Sequence, residues 1–502
     1  MNRAFKIPPL LLCGAVMFLG VGEIAAGTDI LFVALMMLTT FCIGMAYNQL
    51  GGVSTFSGIL FTVFALRTIV ISQVAKVLLF EPAHKHLQNP ILTISVYALF
   101  YVCAFIGIFL FAGFRVKLPK PAEPETQKHY GLLYAFALCG GVFGTVLYEL
   151  NGGGYGEQGK TIYNAWHSAG IALSPLLLFS VVLAIDMRLR RSNGRHSVDL
   201  LVIVPWVIET FVGFGDTVRV TMLSATVVYF ATCVFRGYRF RKRHYAAGAI
   251  GALGFIFLLS PIAVYARNFT EGLTWSGRIY QSTSVISEVI HNPDMLLNIE
   301  GKLTEKGNPN FSNYFTGSGV SILNRFSLIG PDSTVVYACA GGLHYGLAAV
   351  IIDFKIAIPS FLYKDKPREE SGQDYIGRIS GMSGDSPGVT YPAISLVSDS
   401  YGAFGWLGVI VVPLVLVPAL FVQIESMYDI SRPWGIVAFG LYFLPFGEMM
   451  LGRFFSLMVR TPLYLLAFSY VLSFLIRTVP TRGERILRVM TKPGTAAVVG
   501  TN

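Results

Sequence analysis

Arginine residues in the second half of the chain have a type and spacing that would suit anion binding. They lie near the ends of apolar segments or between them. A guanidinium group keeps its charge and offers paired N–H donors that match phosphate oxygens. Several of them at one membrane face would suit a diphosphate at the level of lipid headgroups, although each one alone could instead contact headgroups or pair with a carboxylate. The arginines are Arg219, Arg267, Arg278, Arg325 and Arg453.

Three residues are candidate general bases for removing a proton from a hydroxyl group: Glu209, Asp399 and His344. An ionisable side chain within an apolar segment, such as Glu209, suggests a function because a charge in a membrane is costly. A histidine titrates near neutral pH, which suits proton transfer. Glu209 and Glu448 could deprotonate a hydroxyl group or could hold Arg219 and Arg453, and the ion pair is the favoured prediction for both. The residues alone do not decide which group is the base.

Short motifs give no support for a metal or nucleotide site. The sequence has no His-x-x-x-His or Asp-x-Asp cluster of the kind that binds catalytic metals, and its Glu-x-x-His pairs, Glu81/His84 and Glu288/His291, are far apart in the sequence. The pattern Gly-x-x-x-x-Gly-Lys-Thr occurs at 154–161, between two predicted spans, whereas a nucleotide-binding loop of this kind lies between a strand and a helix. We therefore expect chemistry without a metal or cofactor, and an energy source other than ATP.

The composition places most of the chain in a membrane. Of the 502 residues, 54% are hydrophobic and only 13% are charged, whereas soluble proteins carry about 25% charged residues. A membrane-spanning helix needs roughly 20 apolar residues, and this pattern predicts an all-α polytopic protein with about twelve transmembrane helices. The predicted segments are 7–26, 29–49, 54–80, 91–114, 130–149, 165–187, 199–214, 217–235, 246–266, 402–424, 433–450 and 455–476.

Clusters of Lys and Arg between these segments predict the orientation. The formal net charge is +10, and cytoplasmic loops carry most Lys and Arg in membrane proteins. With the N-terminus in the cytoplasm, every cluster falls on the cytoplasmic side, so binding of nucleic acid is not predicted. The clusters are Arg3/Lys6, Arg115/Lys117/Lys120/Lys128, Arg188/Arg190/Arg191/Arg195, Arg236/Arg239/Arg241/Lys242/Arg243 and Arg477/Arg482/Arg485/Arg488/Lys492.

One long loop interrupts the apolar pattern and lies on the outer side. We predict transmembrane helices 1–9 over residues 1–266, the loop over 267–401, helices 10–12 over 402–478 and a basic cytoplasmic tail over 479–502. Within the loop, the apolar stretch near 334–358 contains Gly, His, Asp and Lys residues that suit lipid poorly. We expect it to form a re-entrant or interfacial helix, because a full crossing would place the basic tail outside.

Three local motifs resemble the Wzy-type oligosaccharide repeat unit polymerases of bacterial surface polysaccharides. Gly215-Asp216-Thr217-Val218-Arg219 looks like the small-residue-then-Arg turn that opens a middle span. The segment from Ile358 to Pro367 is similar to the family's Ile-Pro-Arg-x-x-Trp-x-x-Lys-Pro. Tyr401-Gly402-Ala403-Phe404-Gly405-Trp406-Leu407-Gly408 looks like its Tyr-x-x-Phe-Gly-x-x-Gly start of the next span. The order and spacing match over roughly residues 199–424.

The resemblance implies a GT-C-like membrane glycosyltransferase of the bacterial cytoplasmic (inner) membrane. It would join repeat units carried on undecaprenyl diphosphate at the periplasmic face, and Arg219, Arg278 and Arg325 would stabilise the departing diphosphate. Ser360 stands where the family commonly has Arg, so Lys364 or Lys366 would have to substitute.

The partners implied are a lipid-linked oligosaccharide donor and acceptor, membrane lipids, a chain-length regulator and a flippase. Two alternatives stay open. An O-antigen ligase-like enzyme would use the same donor with another acceptor. A polysaccharide or lipid transporter would place charges at the bilayer midplane and usually shows repeat symmetry.

Overall fold

Helices form all the regular structure in the described part of the chain. The fold is taken from a computed structural model. The residues that the structure describes are 6–123, 130–150, 165–215, 219–255, 275–292, 326–342, 344–358 and 394–478, together with 259, 273, 314, 315, 323 and 363.

The helices follow one another with short connections in the first half of the chain. Their bounds are α1 (Pro9–Ala25), α2 (Ile30–Leu50), α3 (Phe56–Leu79), α4 (Pro90–Phe111), α5 (Tyr130–Leu150), α6 (Ala165–Leu173), α7 (Pro175–Arg191), α8 (Leu200–Gly215), α9 (Arg219–Phe235), α10 (Lys242–Gly254), α11 (Trp275–His291), α12 (Ile329–Ala340), α13 (Gly346–Ala357), α14 (Leu396–Phe404), α15 (Trp406–Met427), α16 (Pro433–Phe446) and α17 (Leu451–Leu475).

Helix length and composition are those of a multi-pass membrane protein. Among the described residues, 7 helices are long and apolar enough to cross a membrane, and they lie in α2 to α5, in α6 with α7, in α15 and in α17. Shorter apolar helices accompany them at α1, α8, α9 and α16. This agrees with the predicted all-α polytopic class.

Local sequence signals set several helix ends. The Asp29 carboxylate accepts the Phe32 N–H at 3.1 Å and so caps α2 at its start. Asn89 caps α4 in the same way, through the Leu92 N–H at 3.2 Å, and Pro90 takes the first helical position. These are the residue types preferred at helix N-termini, because they satisfy N–H groups that lack a partner within the helix.

Two of the basic clusters meet at one end of the bundle, called here the basic end. The buried Asp186 at the end of α7 pairs with Arg190 at 3.1 Å and with Arg236, just after α9, at 2.9 Å. A carboxylate between two arginines keeps these cationic loops close together. These two ion pairs fix which helix ends are neighbours.

Residues 112–123, called here the strap, cross the basic end after α4. The Ala122 N–H donates to the Ser469 hydroxyl at 2.9 Å, and the Trp434 indole N–H donates to the Ala122 carbonyl at 3.1 Å. Near the other end of the strap, the Val116 N–H lies 3.4 Å from the Ser426 hydroxyl. The strap therefore joins the first helices to the last three.

The opposite end, called here the loop end, receives part of the predicted loop 267–401. Lys76 is fully buried and its ammonium group lies 4.5 Å from the centre of the Tyr314 ring. The Tyr314 hydroxyl donates to the Ala83 carbonyl at 2.8 Å, and the Ala83 N–H donates to Glu23 at 3.0 Å. Cation–π contact and hydrogen bonds thus hold this part of the loop against α1 and α3.

The stretch 334–358, expected to be one re-entrant or interfacial helix, is divided between α12 and α13. A turn follows Ala340, and Gly342 in it has φ +88°. Gly346, at the start of α13, has φ +66°. Glycine adopts this backbone region without the steric cost that a side chain would bring, so the two glycines explain the break.

The residues just before α12 reach deep into the bundle. The Leu328 N–H donates to the Arg67 carbonyl at 3.1 Å, and the Ser327 and Ser72 hydroxyls are 2.6 Å apart. Arg67 lies twelve residues before Leu79 at the loop end of α3, which is about 18 Å along the helix axis. This part of the predicted loop therefore descends among the helices.

Two glycines of the Tyr401 to Gly408 motif shape the corner between α14 and α15. Gly405 has φ +60° and ψ −140°, and a Cβ atom there would lie 3.3 Å from His344 Nε2. A Cβ atom on Gly408 would lie 2.0 Å from the Ser400 carbonyl oxygen. Only glycine allows this turn and the close approach of the two helices.

Candidate functional site

Polar side chains from distant parts of the chain meet in one layer inside the loop end. Tyr97 lies seven residues after Pro90 in α4, about 10 Å from the loop end, and Arg67 lies about 18 Å from it. Hydrogen bonds and an ion pair connect the groups at this depth. The name polar layer is used below for Arg67, Tyr97, Asp332, Tyr345, Asp399 and Glu448, with the serines that contact them.

Asp332 in α12 is the most enclosed carboxylate of the polar layer. It is fully buried and accepts four hydrogen bonds: from the Tyr97 hydroxyl, from the Ser395 N–H at 2.9 Å, from the Ser395 hydroxyl at 2.5 Å and from the Ser398 hydroxyl at 2.6 Å. Negative charge next to the start of α14 also suits the helix dipole. Asp332 thus ties α4, α12 and α14 together.

Asp399, one of the predicted bases, connects α14 to α17. One carboxylate oxygen accepts the Tyr345 hydroxyl, and the other accepts the Leu451 N–H at 2.6 Å. Its side chain is only 2% exposed. Both oxygens are engaged, so in this conformation Asp399 acts as a link between helices.

His344, the second predicted base, lies at the surface and directly precedes Tyr345, which contacts Asp399. Its ring meets the Tyr401 ring edge-on with the centroids 5.5 Å apart, and Tyr401 meets Trp406 at the same separation. The structure therefore places His344 next in sequence to a residue that contacts Asp399, with its ring against Tyr401 of the same helix α14.

Glu209, the third predicted base, belongs to another group of helices. It is buried in α8 and accepts the Ser224 hydroxyl of α9 at 2.9 Å. Nearby, α11 packs against α8. Arg278 of α11, a predicted phosphate ligand, lies 3.6 Å from Glu149 of α5 and donates to the Leu273 carbonyl at 3.2 Å.

The other predicted phosphate ligands are placed only in part. Arg219 is the first residue of α9, but its side chain lies outside the described residues. Arg453 is exposed in the first turn of α17 and follows Gly452, where a Cβ atom would lie 2.8 Å from the Asp353 carboxylate. The remaining four lie outside the described residues: Arg267, Arg325, Lys364 and Lys366.

Glu448 forms an ion pair, the role that the sequence favoured for it, but its partner Arg67 was not predicted. Glu448 was expected to hold Arg219 or Arg453, whereas here it contacts the Arg67 guanidinium. Arg67 lies within the π-helical turn Leu66–Val70 of α3, and such turns often occur at functional sites. The signal was present, since Arg67 is a charged residue within a 24-residue apolar helix.

The polar layer offers carboxylates, hydroxyls and a guanidinium group at membrane depth, which suits proton transfer to and from a hydroxyl-rich substrate. Among the described residues, no group of three or more His, Cys, Asp or Glu is arranged to hold a metal ion.

Comparison with family models, with curated proteins and with solved structures gives no match. Any assignment of function therefore depends on the residues and their arrangement in this chain.

Proposed function

We propose that this protein is a polymerase of lipid-linked oligosaccharide repeat units. It joins units carried on undecaprenyl diphosphate at the periplasmic face of the bacterial inner membrane, through a GT-C-like fold of about twelve transmembrane helices. The donor is already activated by its diphosphate leaving group. The enzyme must therefore position an acceptor hydroxyl, take its proton and stabilise the departing phosphate charge.

The observation that carries the proposal is the polar layer. It lies about 10–18 Å inside the loop end, within helices that otherwise suit lipid. A lipid-linked sugar has its reacting bond close to the membrane surface, so the proposal requires the donor and the acceptor to enter the bundle from the loop end in order to reach the polar layer. Because the Leu328 N–H donates to the Arg67 carbonyl, the predicted loop contributes directly to the polar layer.

The charge distribution supports the orientation. Asp186 holds the basic segments after α7 and α9 together at the basic end, and the strap lies at the end of α4, as the positive-inside rule requires of cytoplasmic loops. The polar layer then faces the periplasm. The residues assigned to the diphosphate remain Arg219, Arg278 and Arg325, with Arg267, Lys364, Lys366 and Arg453 as further ligands.

The experiment is a measurement of surface glycan length in a strain that lacks the gene. We expect single repeat units without the gene, and long polymer after complementation with the wild type. Arg219→Ala at normal membrane level should leave single units, because its charge is needed at the leaving group. Arg191→Ala is the matched control, since Arg191 is exposed at the basic end, and it should restore long polymer.

The outcomes separate the alternatives. Full-length polymer without the gene would overturn the polymerase. Full-length polymer on the lipid carrier but not on the cell surface would favour a ligase. Accumulation of lipid-linked units on the cytoplasmic side would favour a transporter.

A further inference from the structure

The three carboxylates of the polar layer differ in access. Asp332 and Asp399 are 0% and 2% exposed, and both oxygens of each accept hydrogen bonds. The Glu448 side chain is 40% exposed. It contacts Arg67 through Oε1, and Oε2 accepts no hydrogen bond among the described residues. Glu448 is therefore the carboxylate of the layer that a substrate can reach.

The exposed side of Glu448 must face a polar space. It follows α16, fifteen residues after Pro433 at the basic end, which is about 22 Å along the axis and places it at the depth of Arg67. A charge facing hydrocarbon at that depth would be costly. A cleft that admits water or a hydroxyl-rich group from the loop end removes that cost.

Arg67 is held in a fixed position beside Glu448. Its carbonyl accepts the Leu328 N–H. Gly447 packs against its side chain so closely that a Cβ atom there would lie 2.4 Å from Arg67 Cδ. The adjacent Leu451 N–H is bound to Asp399, so the linker carrying Glu448 is anchored on both sides.

We propose that Glu448 is the catalytic base of the reaction and that Arg67 is its positioning residue, an inference that rests on the proposed function. The acceptor hydroxyl gives its proton to Glu448 Oε2 as its oxygen forms a bond to the anomeric carbon of the donor. The bond from that carbon to the phosphate oxygen breaks, and undecaprenyl diphosphate leaves with the electron pair. The proton later passes from Glu448 to water.

The test is the rate of polymer formation by the purified full-length protein in lipid nanodiscs. The substrate is the lipid-linked repeat unit extracted from the strain that lacks the gene. Glu448→Gln should lower the rate by about 100-fold or more, the usual effect of losing a general base. Asp429→Asn is the matched control, because it removes another carboxylate from a pair with an arginine, Arg432 at 3.3 Å, at the exposed basic end outside the polar layer. It should stay within about threefold of the wild type.

The pH profile distinguishes a base from a structural carboxylate. The wild-type rate should fall towards acid pH, and Asp429→Asn should keep this fall. The residual rate of Glu448→Gln should not show it. If Glu448→Gln fails to fold, Glu448→Asp is measured instead, because it keeps the charge. This variant should be slow, and its rate should still fall towards acid pH. We expect the Arg67→Lys protein to form polymer more slowly than the wild type and to have a shifted pH profile.

Each result bears on one of the two proposals. A folded Glu448→Gln protein with the wild-type rate and pH profile overturns Glu448 as the base and leaves the polymerase intact, with His344 as the next candidate. A wild-type protein that forms no polymer from these units overturns both.

Discussion

Asp332 joins parts of the chain that are far apart in sequence. Tyr97 lies 235 residues before it and Ser395 63 residues after it. Without the carboxylate, the N–H and O–H groups that donate to it would stay buried with no acceptor. A buried donor without a partner costs free energy. The residue thus stabilises the position of α14, which carries Asp399.

We expect Asp332→Ala to lower the free energy of unfolding by about 3–5 kcal/mol, because several buried donors lose their acceptor at once. Tyr97→Phe removes one hydrogen bond and should cost about 1–2 kcal/mol. Melting temperatures in detergent give the comparison. Equal losses in the two variants would contradict the central role of Asp332.

Two residues of the polar layer were singled out from the sequence, but their partners were not. Glu448 and Asp399 stand out as charges at the ends of apolar segments. Arg67 and Glu448 are 381 residues apart, and no periodicity or spacing connects such a pair. The contact depends on how α3 packs beside the α16–α17 linker, which is a property of the assembled helices.

At the scale of the helix, the corner between α14 and α15 shows what the sequence predicts well. The predicted start of a span near 402 contains Gly405 and Gly408. The structure shows why both positions are glycine, because a Cβ atom at either one would lie too close to a neighbouring atom. Apolar length predicted the 7 described helices that are long enough to cross a membrane, whereas the count of about twelve spans stays a prediction. The division of 334–358 was missed, because glycines within an apolar run are compatible with both a bend and a continuous helix.

Gly408→Ala should destabilise the protein by about 1–3 kcal/mol, because its methyl group would displace α14 from α15. Gly131→Ala is the matched control: it lies in α5 with nothing within 4 Å of a Cβ atom, and alanine there should be neutral or stabilising by up to about 1 kcal/mol. Thermal unfolding of both variants in the same detergent measures the difference. A Gly408→Ala protein as stable as Gly131→Ala would refute the close approach.

At the scale of the whole molecule, polar contacts divide the bundle into two ends of different character. The basic end carries Asp186 with its arginines and the strap. The loop end carries Lys76 with Tyr314. Charge patterning predicted which loops share a side, because Lys and Arg are distributed asymmetrically across a membrane. It could not predict the polar layer between the ends.

Labelling with a membrane-impermeant maleimide tests the orientation. In a background without the six native cysteines, Lys85→Cys at the loop end should react in cells whose outer membrane is permeabilised. Lys120→Cys in the strap should react only after the inner membrane is opened, and both positions are exposed. The reverse pattern would invert the orientation and place the polar layer towards the cytoplasm.

The strap also sets an order of events during biosynthesis. Trp434 and Ser469 lie 312 and 347 residues after Ala122. At ordinary rates of translation, the strap waits on the order of 15–70 s for its partners to be made. Contacts between such distant residues form late. Helix α4 therefore enters the membrane well before the strap that follows it can dock. The strap therefore completes its contacts at the basic end only after Ser469 has been made.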